Sequence, residues 1–158
     1  RNKGGWGFID LLGLTAHGEP VVIELKTGDS NDTPLHALLE ASTYATVLRR
    51  HWKQVAQELR EFSSAQNLSL TVSDEPRAWP IVLLAPPAYW EGCRKGVTGT
   101  DDCVRAYREL CDKFGAEDEQ PMPIHHANVE GTDDWDQRTV PNSELLSVEL
   151  REVAWDAQ

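Results

Sequence analysis

Three ionisable residues stand where apolar strand patterning leaves no ordinary place for them: Asp10 in GFIDLLGL, and Glu24 and Lys26 in PVVIELK. Burying such groups is costly unless each meets a partner or a metal ion. Period-two strand geometry puts Val22, Glu24 and Lys26 on one face, with Ile23 and Leu25 directed into an opposite core. If the two segments form a hairpin turning around Ala16 to Glu19, Asp10 comes level with Glu24 on the neighbouring strand. Two carboxylates and one ammonium then converge. The Leu25 carbonyl, projecting from the same strand, is a third oxygen.

This combination suits phosphodiester hydrolysis. Hard oxygen donors hold Mg²⁺, or Mn²⁺ in its place, and a cation sits beside the attacking water and the charge that develops on phosphorus. Asp10, Glu24 and Leu25 are the expected metal ligands. Lys26 is expected to orient the water or help deprotonate it, its proton affinity set by burial, which lowers it, against the carboxylates, which raise it. The structural alternative is a salt-bridge cluster on a poorly covered sheet.

The elements that must position these residues follow from the surrounding pattern. Gly7 to Leu14 and Pro20 to Lys26 are short and apolar with Gly18 between them, which predicts a β-hairpin. Both strands are apolar on both faces, so a central position in a covered sheet is expected. Thr33-Pro34 combines an N-cap residue with proline at the first helical position. Leu35, Leu38, Ser42, Ala45, Leu48, Trp52, Val55, Leu59 and Phe62 recur at three or four residues, predicting one buried helical stripe to about Phe62. Ser63 to Arg77 reads as loop, Trp79 to Ala85 as a third strand, and Tyr89 to Lys95 as a helical turn. A helix is expected from Thr100, ended by Gly115. Glu117 to Asp136 holds seven acidic residues and no Lys or Arg, and reads as an irregular solvated excursion. Leu146, Val148 and Leu150 alternate with polar residues, predicting a half-buried antiparallel edge strand. The fold class expected is α/β, a central mixed sheet flanked by helices, in one domain over residues 1–158.

The hairpin and helix together resemble the PD-(D/E)xK nuclease superfamily, whose fold is restriction-endonuclease-like. Asp10 followed by Glu24-Leu25-Lys26 after a glycine-containing turn carries the likeness, within Gly7 to Tyr44. Glu40 and Tyr44, at i and i+4 in LLEASTY, are similar to the Gln-x-x-x-Tyr motif of the RecB-like branch. The resemblance implies a Mg²⁺-dependent nuclease acting on DNA, with Asp10, Glu24, Lys26, Glu40 and Tyr44 in the catalytic site. It also implies the core order α-β-β-β-α-β, although here the long helix directly follows the second strand. Ile9 replaces the family's proline before the aspartate, and Glu40 replaces glutamine. The glutamate-bearing helix that often precedes the first strand is not in this chain, whose start at Arg1 reads as trimmed. RNA and branched junctions remain open as substrates.

Composition limits the other classes. Fifteen Lys plus Arg against 26 Asp plus Glu give a net charge of −11, which opposes a nonspecific nucleic-acid coat. Arg49, Arg50, His51 and Lys53 are the one dense basic cluster, either steering a nucleic-acid backbone or simply solvated. A partner subunit or second copy is another source of basic surface. The acidic balance also favours a second reading, a noncatalytic nuclease-fold module for protein interaction or regulation. His36 extends the Glu40 line by one turn but reads as a surface residue. Cys93, Cys103 and Cys111 with His125 and His126 match no compact zinc knuckle, and the odd, unspaced cysteines make a reducing cytoplasm the simplest compartment. The six tryptophans, Trp6, Trp52, Trp79, Trp90, Trp135 and Trp155, are expected mainly in the core. No apolar run approaches the length of a membrane span.

Overall fold

The computed structural model describes residues 9–94, 101–116, 120–128 and 151–152. The chain runs β1 (Leu11–Leu14), β2 (Pro20–Leu25), α1 (Pro34–Ala65), β3 (Ile81–Ala85), α2 (Pro87–Arg94), α3 (Asp101–Gly115), β4 (Ile124–Asn128) and β5 (Arg151–Glu152). The class is α/β. One mixed sheet has the order β1-β2-β3-β4-β5, parallel from β2 through β4 and antiparallel at both ends. α1 occupies the crossover between β2 and β3, as a parallel pairing requires, so a helix stands where the implied order α-β-β-β-α-β has a direct strand-to-strand step. No helix among the described residues is long and apolar enough to cross a membrane.

The hairpin forms at the expected place. Leu11 pairs with Ile23 and Leu14 with Pro20, and Gly18 turns the chain at φ 80°, a conformation that suits glycine. β1 is not central, however. Among the described residues it ends the sheet, with Leu11 47% and Leu12 36% exposed; continuous apolarity reflects burial only when neighbours cover both faces.

α1 is a single helix. Thr33 caps it, its hydroxyl accepting from the His36 N–H at 3.1 Å, and Pro34 begins it. The face carrying Leu38, Ala41, Ala45, Leu48 and Trp52 is buried against β2 and β3. Ala37, Ala41 and Ala56 belong to that face although the larger residues define the periodic pattern. Phe62 does not belong, being 56% exposed. Ser63 turns inward in its place, where its hydroxyl donates to the Leu68 carbonyl at 2.8 Å and holds the following loop.

The core lies between α1 and one sheet face, from Val22, Ile81 and Leu83 to Trp79, Tyr89, Trp90 and Tyr107. Trp52 and Trp79 meet edge to face, with centroids 5.6 Å apart. The second sheet face holds a smaller cluster of Val82, Leu84 and Ala127 with Val21 and Ile23. Strand alternation directs Leu25 to that cluster, yet it is 39% exposed, because β2 ends at this residue.

The stretch Glu117 to Asp136 is not wholly irregular. Ile124 to Asn128 forms β4, parallel to β3 in the register Ile81 to Ile124, since an available strand edge outweighs weak local preference. Residues 117–119 and 129–136 of that stretch, the Leu146 to Leu150 alternation, Lys95, Gly7, Phe8, Trp6, Trp135 and Trp155 lie outside the described residues.

Candidate active site

The functional candidates gather at the carboxyl end of the parallel strands, the usual position for ligands in open α/β sheets. β2 delivers Glu24, Leu25 and Lys26 there. The Lys26 N–H donates to the Leu84 carbonyl at 3.0 Å, which continues the β2–β3 pairing past the last strand residue. β1 runs antiparallel, so its amino end brings Asp10 to the same place. Asp10 Oδ2 accepts the Leu25 N–H at 2.9 Å. A residue's N–H and C=O leave a strand on one side, so the Leu25 carbonyl faces the Asp10 edge as well. The first turns of α1 add His36, Glu40 and Tyr44 along one line.

Lys26 is the hub. Its Nζ lies 2.7 Å from Glu24 Oε1, 3.2 Å from Asp32 Oδ2 and 3.5 Å from Glu40 Oε2. Glu40 uses its other oxygen to accept the Tyr44 hydroxyl at 3.0 Å. Asp32 Oδ1 stands 3.3 Å from His36 Nδ1. Glu24 is buried, at 3% exposure, whereas Asp10 is exposed and Glu40 and Tyr44 are half-buried.

The electrostatics follow from this geometry. Burial raises the Glu24 carboxyl above its ordinary value; Lys26 opposes the rise, and Asp10 and Glu40 add to it. Burial alone would lower the Lys26 pKa, but Glu24 and Asp32 outweigh it and hold the ammonium well above the usual lysine range. The Lys26 ammonium thus stands as a donor and counter-charge among the carboxylates that surround it. Lys26 holds the Asp32 carboxyl below its usual range. Burial and the Glu40 carboxylate both raise the Tyr44 phenol.

The hydrogen bonds here use Asp10 Oδ2 and Glu24 Oε1, so Asp10 Oδ1, Glu24 Oε2 and the Leu25 carbonyl form the oxygen set that could hold a hard divalent cation. Among the described residues, no group of three or more His, Cys, Asp or Glu side chains is gathered for a metal. That applies equally to the cysteines and His125. Cys93, Cys103 and Cys111 take part in no disulfide, and His126 pairs with the Tyr107 hydroxyl.

Asp32 is the site residue the sequence pattern did not disclose. A usable signal existed: the connection from β2 to α1 is short, so the residue before the Thr33 cap must return to the end of β2. The basic run lies farther along α1. His51 is 11 residues from Glu40, about 16 Å at helical rise, yet both line one groove of about 620 Å³ with Leu39, Tyr44 and Val47. Arg49, Arg50 and Lys53 border a separate cavity of about 500 Å³, where Asp74 and Glu75 partly offset their charge. No family model, curated protein or solved structure matches this chain.

Proposed function

We propose that this chain is a Mg²⁺-dependent nuclease of the PD-(D/E)xK type, hydrolysing DNA phosphodiester bonds on a restriction-endonuclease-like core. The observation that supports the reading is that Asp10, bonded to the Leu25 N–H, and the Lys26–Glu24 ion pair lie at one sheet end. Two carboxylate oxygens and a carbonyl suit Mg²⁺, which keeps several waters and accepts few protein ligands. When bound, the ion supplies Lewis-acid polarisation of the phosphate and a more acidic water. Asp10 and Glu24 would hold it from adjacent strands. Lys26 orients the nucleophilic water or offsets charge developing on phosphorus, as a fixed donor that needs no reorganisation. Glu40 and Tyr44 support the Lys26 head from α1, and the groove from Glu40 to His51 gives a strand a path toward the basic run.

The test is cleavage of duplex DNA, single-stranded DNA and RNA in Mg²⁺ and in Mn²⁺, with calorimetry of metal binding. Lys26→Ala is expected to abolish DNA cleavage with metal affinity largely retained, and Asp10→Asn to lose metal binding. Equal cleavage by wild type and Lys26→Ala removes the mechanism.

One observation favours a noncatalytic interaction module instead. Lys26 is already matched by three carboxylates, so its charge is largely spent within the protein. That reading predicts no heat of Mg²⁺ or Mn²⁺ binding to wild type.

A further inference from the structure

We infer that Asp32 is the positioning residue that aims Lys26, and that the docking of the β2–α1 loop onto α2 holds Asp32 in place. The consequence for catalysis rests on the nuclease reading; the geometry does not. Lysine carries three donors on a flexible four-carbon stem. One hydrogen bond, to Glu24 at 2.7 Å, leaves its head free to pivot about that contact. The second, to Asp32 at 3.2 Å, removes the pivot, with the longer 3.5 Å contact to Glu40 on the α1 side. Asp32 is itself 46% exposed in its side chain, and an ion pair so exposed is weak when its partners are free to move. The loop removes that freedom. The Asp32 N–H donates to Ser30 Oγ at 3.2 Å, and the Asp32 carbonyl accepts the hydroxyl of buried Tyr89 at 3.1 Å. Nearby, a Cβ placed on Gly28 would lie 3.4 Å from both Pro86 and Ala88, so the loop is seated closely on the start of α2. His36 Nδ1 lies 3.3 Å from the far carboxylate oxygen. The chain of contacts thus runs from Tyr89 through the loop to Asp32 and then to Lys26.

A displaced catalytic group costs rate rather than affinity. Asp32→Ala is therefore expected to lower kcat for DNA cleavage by about ten- to a hundredfold, with KM and the calorimetric Mg²⁺ affinity unchanged. Asp32→Glu is expected to recover part of the loss. Tyr89→Phe, which leaves every group around Lys26 chemically intact, lowers kcat in the same sense and by less. A kcat equal to wild type in Asp32→Ala, or a change confined to KM, overturns the assignment. Circular dichroism and thermal melting establish that each variant folds, and Asp32→Asn serves as the near-isosteric variant if the alanine form does not. Should wild type cleave no DNA, the nuclease reading fails and the positioning is read directly from the Lys26 ammonium by ¹⁵N NMR. Slowly exchanging Nζ protons in wild type that become fast in Asp32→Asn support it; identical exchange in the two overturns it.

Discussion

Lys26 and Glu24 form a pair whose removal from water is offset by their contact, with Asp32 and Glu40 adding to the lysine's partners. Glu24 is 3% exposed and sits in the field of Asp10 and Glu40. Taking away the lysine leaves a buried carboxylate among like charges, and breaking one side of such a pair destabilises by about 3 kcal/mol. Lys26→Ala is expected to lose that amount in urea unfolding at pH 7. The deficit should shrink as the solution is acidified, because the Glu24 carboxyl, already raised above its ordinary value, then takes up a proton. A deficit independent of pH would place the loss in packing. At this scale the sequence was informative for Asp10, Glu24 and Lys26, since charged residues at alternate positions of an apolar strand stand out. Asp32 was harder to read, being one of several polar residues in a loop and marked only by the short return from β2 to the Thr33 cap.

The hairpin and α1 together align the site, and each can be tested at its weakest joint. Gly18 has φ 80°, and a Cβ there would lie 2.8 Å from the Ser73 nitrogen and 2.9 Å from the Thr71 carbonyl. The Gly18 carbonyl also accepts the Ser73 N–H at 2.9 Å, so backbone faces backbone with nothing able to rotate aside. Gly18→Ala is expected to cost at least about 1 kcal/mol from conformation alone, read as a lowered melting temperature. At the start of α1, Thr33→Ala removes the cap on the His36 N–H and should cost about 1 kcal/mol. Unchanged melting in either variant would mean that the turn or the cap is not maintained. The hairpin register and the helix start were readable because Gly18 and Thr33-Pro34 are local signals. β4 was not readable: Ile124 to Asn128 follows three acidic residues and two prolines, and its identity as a strand comes from the free edge of β3. Likewise, nothing local in Leu11 and Leu12 says that β1 ends the sheet.

Among the described residues, three groups raised well above their ordinary values make stability depend on alkaline pH. Lys26 is raised by its carboxylates against the opposing effect of burial, and Tyr89 and Tyr107 are raised mainly by burial. Each binds its proton more tightly folded than unfolded. Their contribution is complete below about pH 10 and is lost as pH rises beyond it, with a slope of about 1.4 kcal/mol per pH unit for each group. Unfolding free energy should therefore fall steeply in alkali, and Tyr107→Phe should flatten the fall; the same slope in that variant would contradict the assignment. On the proposed nuclease reading, a chain of net charge −11 needs a bound cation at the sheet end before a polyanion can approach it. Crystals soaked in Mn²⁺ and measured at the manganese absorption edge test that most directly. The account predicts one anomalous peak bounded by Asp10, Glu24 and the Leu25 carbonyl; a saturated soak with no peak there, or with manganese bound only elsewhere, would contradict it.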